Sequence, residues 1–192
     1  MAVRSLLKVI VLSSLLLVGA ASANAQTPLG NLVSQVRTAL VIVTTYDERG
    51  KALTQGSGFF IASNRILTNL RFLNSARDIR ITTFSGKTVL VQTVIAKYLD
   101  ADLAILQLSQ PCLDVAPLKV KKISQANGSV VVLDNGKEAE WNVTPAQVEE
   151  GWSFEHVATH LQITASLAEA NGRGPIVKLK GHVNGTAVSV PD

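Results

Sequence analysis

Cysteine and histidine are scarce in this 192-residue chain, which has one of the first and three of the second. With Cys112 alone, no intramolecular disulfide can form, so stability has to come from burial. Cys112 also has no companion thiol with which to hold a metal, and it reads as a small buried apolar group. No metal or cofactor is expected. Aromatic residues make up 5% of the chain, and none is interleaved with the one dense basic cluster, Lys119, Lys121 and Lys122. That absence argues against a nucleic-acid surface. The cluster reads as a solvated strand edge or a contact for an anionic surface. Internal repeats, low-complexity stretches and long amphipathic helices are also missing.

Only one apolar run is long enough to matter for targeting. It extends from Val9 to Ala21, follows Arg4 and Lys8, and is broken only by Ser13 and Ser14. Ala23-Asn24-Ala25 comes next, so residues 1–25 have the layout of a signal peptide cleaved after Ala25, or alternatively after Ala23. The run is shorter than the roughly 20 apolar residues of a membrane span, so no stable anchor is expected after cleavage. Removing this leader takes two of the 18 basic side chains and no acid. The remaining 16 face 14 acidic groups, a formal charge of +2 that says little about partners. About 165 residues then remain, enough for one domain or two small packed barrels.

What is present is mostly strand. Runs rich in β-branched residues cover Ala39 to Thr45, Gly58 to Ala62, Ile79 to Phe84, Thr88 to Ala96, Leu103 to Leu108, Ser129 to Leu133, Ile176 to Leu179 and Val183 to Val190. Turn signals such as Glu48-Arg49-Gly50, Ser85-Gly86-Lys87 and Asp134-Asn135-Gly136 separate many of them. A short helix is expected over Leu32–Arg37, with Leu32, Val33 and Val36 on one face. The pattern favours an all-β sandwich or barrel pair over a parallel α/β sheet. Ser109-Gln110-Pro111-Cys112-Leu113, with Pro117 beyond, is the expected linker. It divides the chain into residues 26–114 and 115–192.

Three segments in order carry a family likeness. Gln55-Gly56-Ser57-Gly58-Phe59-Phe60-Ile61 precedes Arg65-Ile66-Leu67-Thr68-Asn69-Leu70-Arg71-Phe72-Leu73. Asp100-Ala101-Asp102-Leu103-Ala104-Ile105-Leu106-Gln107-Leu108 follows. The third is Leu161-Gln162-Ile163-Thr164-Ala165-Ser166, then Ala170-Asn171-Gly172-Arg173-Gly174-Pro175-Ile176-Val177. A weaker match lies at Leu133-Asp134-Asn135-Gly136 and Trp141-Asn142-Val143-Thr144. Together these resemble the trypsin-like serine proteases of the chymotrypsin fold, HtrA/Deg type. Each segment is a common pattern alone, but three in order, about 30 and about 70 residues apart, are specific. The resemblance implies an all-β chain of two six-stranded antiparallel β-barrels with a cleft between them and a short N-terminal helix. No segment follows the last strand to supply the PDZ module many such proteins carry, so none is expected.

The resemblance places Arg71 at the general base, Asp102 at the carboxylate that orients it, and Gly172 at the serine nucleophile, with Ala170 and Gly172 at the oxyanion hole. A serine hydrolase needs an oxygen nucleophile, a base and an orienting carboxylate. Glycine supplies no nucleophile, and a guanidinium keeps its proton. Loss of the serine or histidine of such a unit costs on the order of 10⁶-fold in rate. Asp102 without its histidine is expected either to pair with Arg71, plugging the old site, or to be satisfied by backbone N–H groups while Arg71 points to solvent. Arg173 reads as a solvated loop residue or a cation favouring an anionic or C-terminal carboxylate ligand. A rewired triad would have to draw on His156, His160, His182, Ser57 or Ser166.

The expectation is therefore an exported pseudo-serine-protease, periplasmic or secreted from a bacterium, that binds a protein or extended peptide. The alternatives are an active serine-type endopeptidase with displaced residues and a structural partner whose cleft is vestigial.

Overall fold

The computed structural model describes residues 28–120, 128–135, 141–154, 158–164, 174–178 and 183–186. The leader expected at residues 1–25 lies outside them. Helix α1 (Pro28–Val36) opens on a proline, whose missing N–H is no loss at the first position of a helix. It starts four residues before the expected Leu32, and a 3-10 turn (Arg37–Ala39) carries the chain out of it. Leu32 and Val36, one turn apart, are both buried.

Six strands follow: β1 (Leu40–Tyr46), β2 (Ala52–Ala62), β3 (Arg65–Asn69), β4 (Asp78–Thr83), β5 (Thr88–Tyr98) and β6 (Leu103–Leu108). They form a closed antiparallel barrel in the order β1-β2-β3-β6-β5-β4, with β1 pairing β4 to complete the ring. Closure leaves no free strand edge in this sheet. Along β6, buried Ala104, Leu106 and Leu108 alternate with half-buried residues, as a strand with one inward face requires.

Beyond the barrel, β7 (Gly128–Asn135), β8 (Trp141–Phe154), β9 (Ala158–Thr164), β10 (Pro175–Lys178) and β11 (Val183–Thr186) form a five-stranded sheet in the order β11-β10-β7-β8-β9. The chain is thus all-β, with one closed six-stranded barrel, a second sheet and one short helix among the described residues. The second six-stranded barrel of the sequence reading is represented there by this five-stranded sheet, in which β9 and β11 are not joined.

One core unites the two sheets. Leu32 and Val36 of α1, Val41, Phe59, Ile66 and Leu106 of the barrel, and Val131, Leu133 and Val177 of the second sheet belong to the same buried cluster. The alternation of β7 explains how: Val131 and Leu133 turn to this core, while Val130 and Val132 meet Ala146, Val148 and Ile176 on the other face. Each fully buried aliphatic or phenyl side chain stabilises the fold by about 1.5–3 kcal/mol.

The irregular stretch between the sheets follows the β2–β3 hairpin. The Cys112 N–H donates to the Ser63 carbonyl at 2.7 Å and the Leu118 N–H to that of Phe60 at 2.8 Å. Cys112 is buried as a packing group. Burial pushes its thiol up from the ordinary value, with Lys87 opposing and Asp114 adding to the shift.

Gly56 of β2 marks the closest approach in the barrel wall, because a Cβ there would overlap the ring of Phe72, itself buried. Gly56→Ala is expected to lower stability to urea by about 1–3 kcal/mol, the usual cost of overpacking. In a Phe72→Ala background, with the ring gone, the same substitution should cost much less. Equal penalties in both backgrounds would disprove the contact.

Candidate functional site

The antiparallel pairing of β3 with β6 brings Asn69 opposite Leu103. It thereby sets the end of β3 beside the residue just before β6, which is Asp102. The chain leaves β3 in a 3-10 turn, Leu70–Leu73, that carries Arg71. Thr54 Oγ1 donates to the Phe72 carbonyl at 3.0 Å, and the Phe72 ring packs over Gly56, so the turn is tied to β2 through its backbone and its side chain.

Asp102 holds the turn from the other side. Its carbonyl accepts the Leu70 N–H at 2.9 Å, extending the β3–β6 ladder by one bond. Its carboxylate Oδ1 accepts the Arg71 backbone N–H at 2.8 Å. Oδ2 accepts Arg71 Nε–H at 2.5 Å and Asn69 Nδ2–H at 3.1 Å. Three donors from two residues therefore converge on one carboxylate. The Arg71 and Asp102 side chains are 33% and 19% exposed, so the pair is half-buried and not dry. Charge-assisted hydrogen bonds of this kind are the stronger ones in proteins.

Asp102 also has φ 50°, in the left-handed region that Asp and Asn tolerate better than other non-glycine residues. Its N–H donates to the Leu99 carbonyl at 3.1 Å, closing the turn that delivers it to the site. The backbone conformation and the carboxylate bonds thus act together to aim the side chain at Arg71.

Of the two arrangements left open by the sequence, the direct Arg71–Asp102 pair is the one observed, and a backbone N–H from the alternative is present as well. Asn69 was missed as a third donor to Asp102. It stood in the quoted Ile66-Leu67-Thr68-Asn69 motif, and its complete burial as a polar residue is the structural sign of its role. Ser57 is buried in β2, where its carbonyl accepts Thr68 Oγ1–H at 2.8 Å. His160 lies on β9 opposite Trp152. Ala170, Gly172, Arg173, His156, His182 and Ser166 lie outside the described residues. Among the described residues no three His, Cys, Asp or Glu side chains gather as metal ligands.

With this geometry in hand, the relatives are informative. The family model of the trypsin-like peptidase domain matches residues 56–185, spanning β2 through β11. The chain belongs to the trypsin-like peptidase domain family. The solved Rv3671c protease from M. tuberculosis, in its active form, superimposes on this trypsin-like domain with a TM-score of 0.65 and 22% identity. The match covers 81% of this chain and 71% of the protease chain, and at that identity it speaks for the fold alone. The anti-sigma-I factor RsgI9 of Acetivibrio thermocellus is 28% identical over 148 residues, covering 76% of this chain. The chain matches only 21% of the length of that factor.

The left-handed backbone at Asp102 separates two effects that a single substitution mixes. Asp102→Ala loses the carboxylate and keeps the strained φ, whereas Asp102→Gly loses the carboxylate and relieves the strain. Asp102→Ala is expected to be the less stable by roughly 1 kcal/mol in chemical unfolding, the usual left-handed penalty for a Cβ. Equal stabilities would show that the turn relaxes out of this conformation.

Proposed function

We propose that this trypsin-like peptidase domain is exported, lacks serine-protease activity and binds a protein or extended peptide in the bacterial envelope. The observation that carries the reading is the hydrogen bond from Arg71 Nε to Asp102. In a serine protease the carboxylate at this point orients an imidazole whose second nitrogen accepts the proton of the nucleophile. A guanidinium can satisfy the carboxylate equally well, but it has no acceptor to offer. The exchange preserves the bond that organises the turn and removes general-base catalysis.

The sequence supports the same reading at the second position. Gly172 aligns with the nucleophile and has no side chain with which to form an acyl-enzyme. Ala170 takes a place that the family gives to glycine in the oxyanion hole, where backbone N–H groups must converge on a developing charge. The leader at residues 1–25 supports export. The likeness of part of the chain to a stretch of an anti-sigma-I factor supports a use of the fold within regulatory proteins, as that name describes.

In this reading the second sheet is one side of a second barrel, and the cleft between the barrels is where the polypeptide lies. A closed first barrel has no edge to lend. Among the described residues only β9 and β11 bound an open sheet, so strand addition would use one of them.

The test pairs the wild-type chain with the Arg71→His/Gly172→Ser double variant, using casein hydrolysis and labelling by a fluorophosphonate probe. The wild type is expected to be inert and unlabelled, and the double variant to gain labelling. Labelling of the wild type with serine-reagent-sensitive hydrolysis would overturn the proposal and make the domain an endopeptidase with displaced residues.

A further inference from the structure

The Arg71 guanidinium is only partly used by the contacts described above. Nε–H and the backbone N–H of the same residue both go to Asp102, while neither Nη1 nor Nη2 has a protein partner among the described residues. A guanidinium carries five N–H donors in a planar fork, and four of these are on the two Nη atoms. One third of the side chain is open to solvent.

We infer that these Nη groups form a fork that binds a polypeptide carboxylate, either a chain terminus or an Asp or Glu side chain. The inference rests on the non-catalytic reading of the site and supplies the chemistry of its ligand. Its basis is the fixed orientation of the arginine. Free arginine side chains lose considerable rotamer freedom on binding, and that cost lowers affinity. Here the side chain is held through Nε, the backbone of its residue through Oδ1 of Asp102, and the turn through Phe72 and Thr54. The ordering has therefore been done by folding.

The chemistry of the fork selects its ligand. Two parallel N–H groups match the two oxygens of a carboxylate, and such bidentate charge-assisted bonds are roughly twice as strong as neutral ones. A C-terminal amide or a mid-chain carbonyl offers one neutral acceptor. Asp102 repels an incoming anion, but its charge is already shared among Arg71 N–H, Arg71 Nε–H and Asn69 Nδ2–H. The fork therefore contributes discrimination more than affinity.

The experiment follows the Arg71 Nε–H resonance of the purified chain by ¹⁵N NMR, since its bond to Asp102 protects that proton from exchange. The chain is titrated separately with acetate, N-acetylated trialanine with a free carboxylate, the C-terminal amide of the same peptide, and inorganic phosphate. Acetate and the acid peptide are expected to shift the signal saturably, and the amide to bind at least about tenfold more weakly. Saturation transfer to the peptide methyls reads the same preference from the ligand side. It should disappear in Arg71→Gln and be strongly reduced in Arg71→Lys, which keeps the charge but lacks the fork. Acid and amide acting alike, or neither shifting the signal, would overturn the inference, as would phosphate binding more tightly than the acid peptide. Fluorophosphonate labelling bears on the non-catalytic reading alone, so an unlabelled chain without acid preference would sink only the fork.

Discussion

A carboxylate that is four-fifths enclosed must be surrounded by donors, and the requirement of Asp102 shapes this end of the barrel. Its Oδ1 takes the backbone N–H of Arg71, and its Oδ2 takes Arg71 Nε–H and Asn69 Nδ2–H. Satisfying it brings together two chain segments 31 residues apart. It also holds the 3-10 turn in register with the end of β3. In the proposed reading, where arginine stands in place of the family's histidine, the same requirement limits what position 71 can hold. The substitute has to donate a hydrogen bond toward Oδ2, and arginine does so with a permanent proton. On that reading the structural half of the pairing is kept, and a cation stands where the acid–base half would be.

The barrel makes this arrangement rigid. Closure through β1 and β4 leaves β3 and β6 no freedom to slide, so the Asn69–Leu103 register is fixed and Asp102 follows from it. On the far side of the turn, Phe72 fills the space that the absent Cβ of Gly56 leaves in β2. Arg71 therefore sits between a buried aromatic residue that anchors its backbone and a carboxylate that anchors its head. A side chain held in this way suits recognition of a planar anion better than a mobile surface arginine would.

Much of the fold was legible because the strands of the barrel follow simple patterns. β6 alternates strictly and falls where the run Leu103–Leu108 placed it, and β1 is a continuous β-branched run buried along most of its length. β3 was visible only through its family motif, since its apolar stretch is just Ile66-Leu67. β8 and β9 were obscured for a different reason. The apolar positions of β8 change phase across Pro145, from Trp141 and Val143 to Ala146 and Val148, and a bulge between Val148 and Glu150 shifts the pairing with β9, so no single period of two runs through the segment. At the site, the family resemblance singled out Arg71 and Asp102, but the choice between a direct pair and a solvent-facing arginine was not legible. It depends on the left-handed backbone at Asp102 and on the burial of Asn69, both properties of the folded chain. Gly172 and Ala170 lie outside the described residues, and their part in the account rests on sequence.

The central claim is that Arg71 and Asp102 act as a unit, and a double-mutant cycle on folding stability with Arg71→Ala and Asp102→Asn tests it most directly. Asparagine keeps the shape and the tolerance for positive φ while removing the charge, so the cycle isolates the pair from backbone strain. A coupling energy of about 1–2 kcal/mol is predicted, above the range of fully exposed pairs because the site is half-enclosed. Additivity within about 0.3–0.5 kcal/mol would contradict the account, since it would mean that the two residues are neighbours without depending on each other.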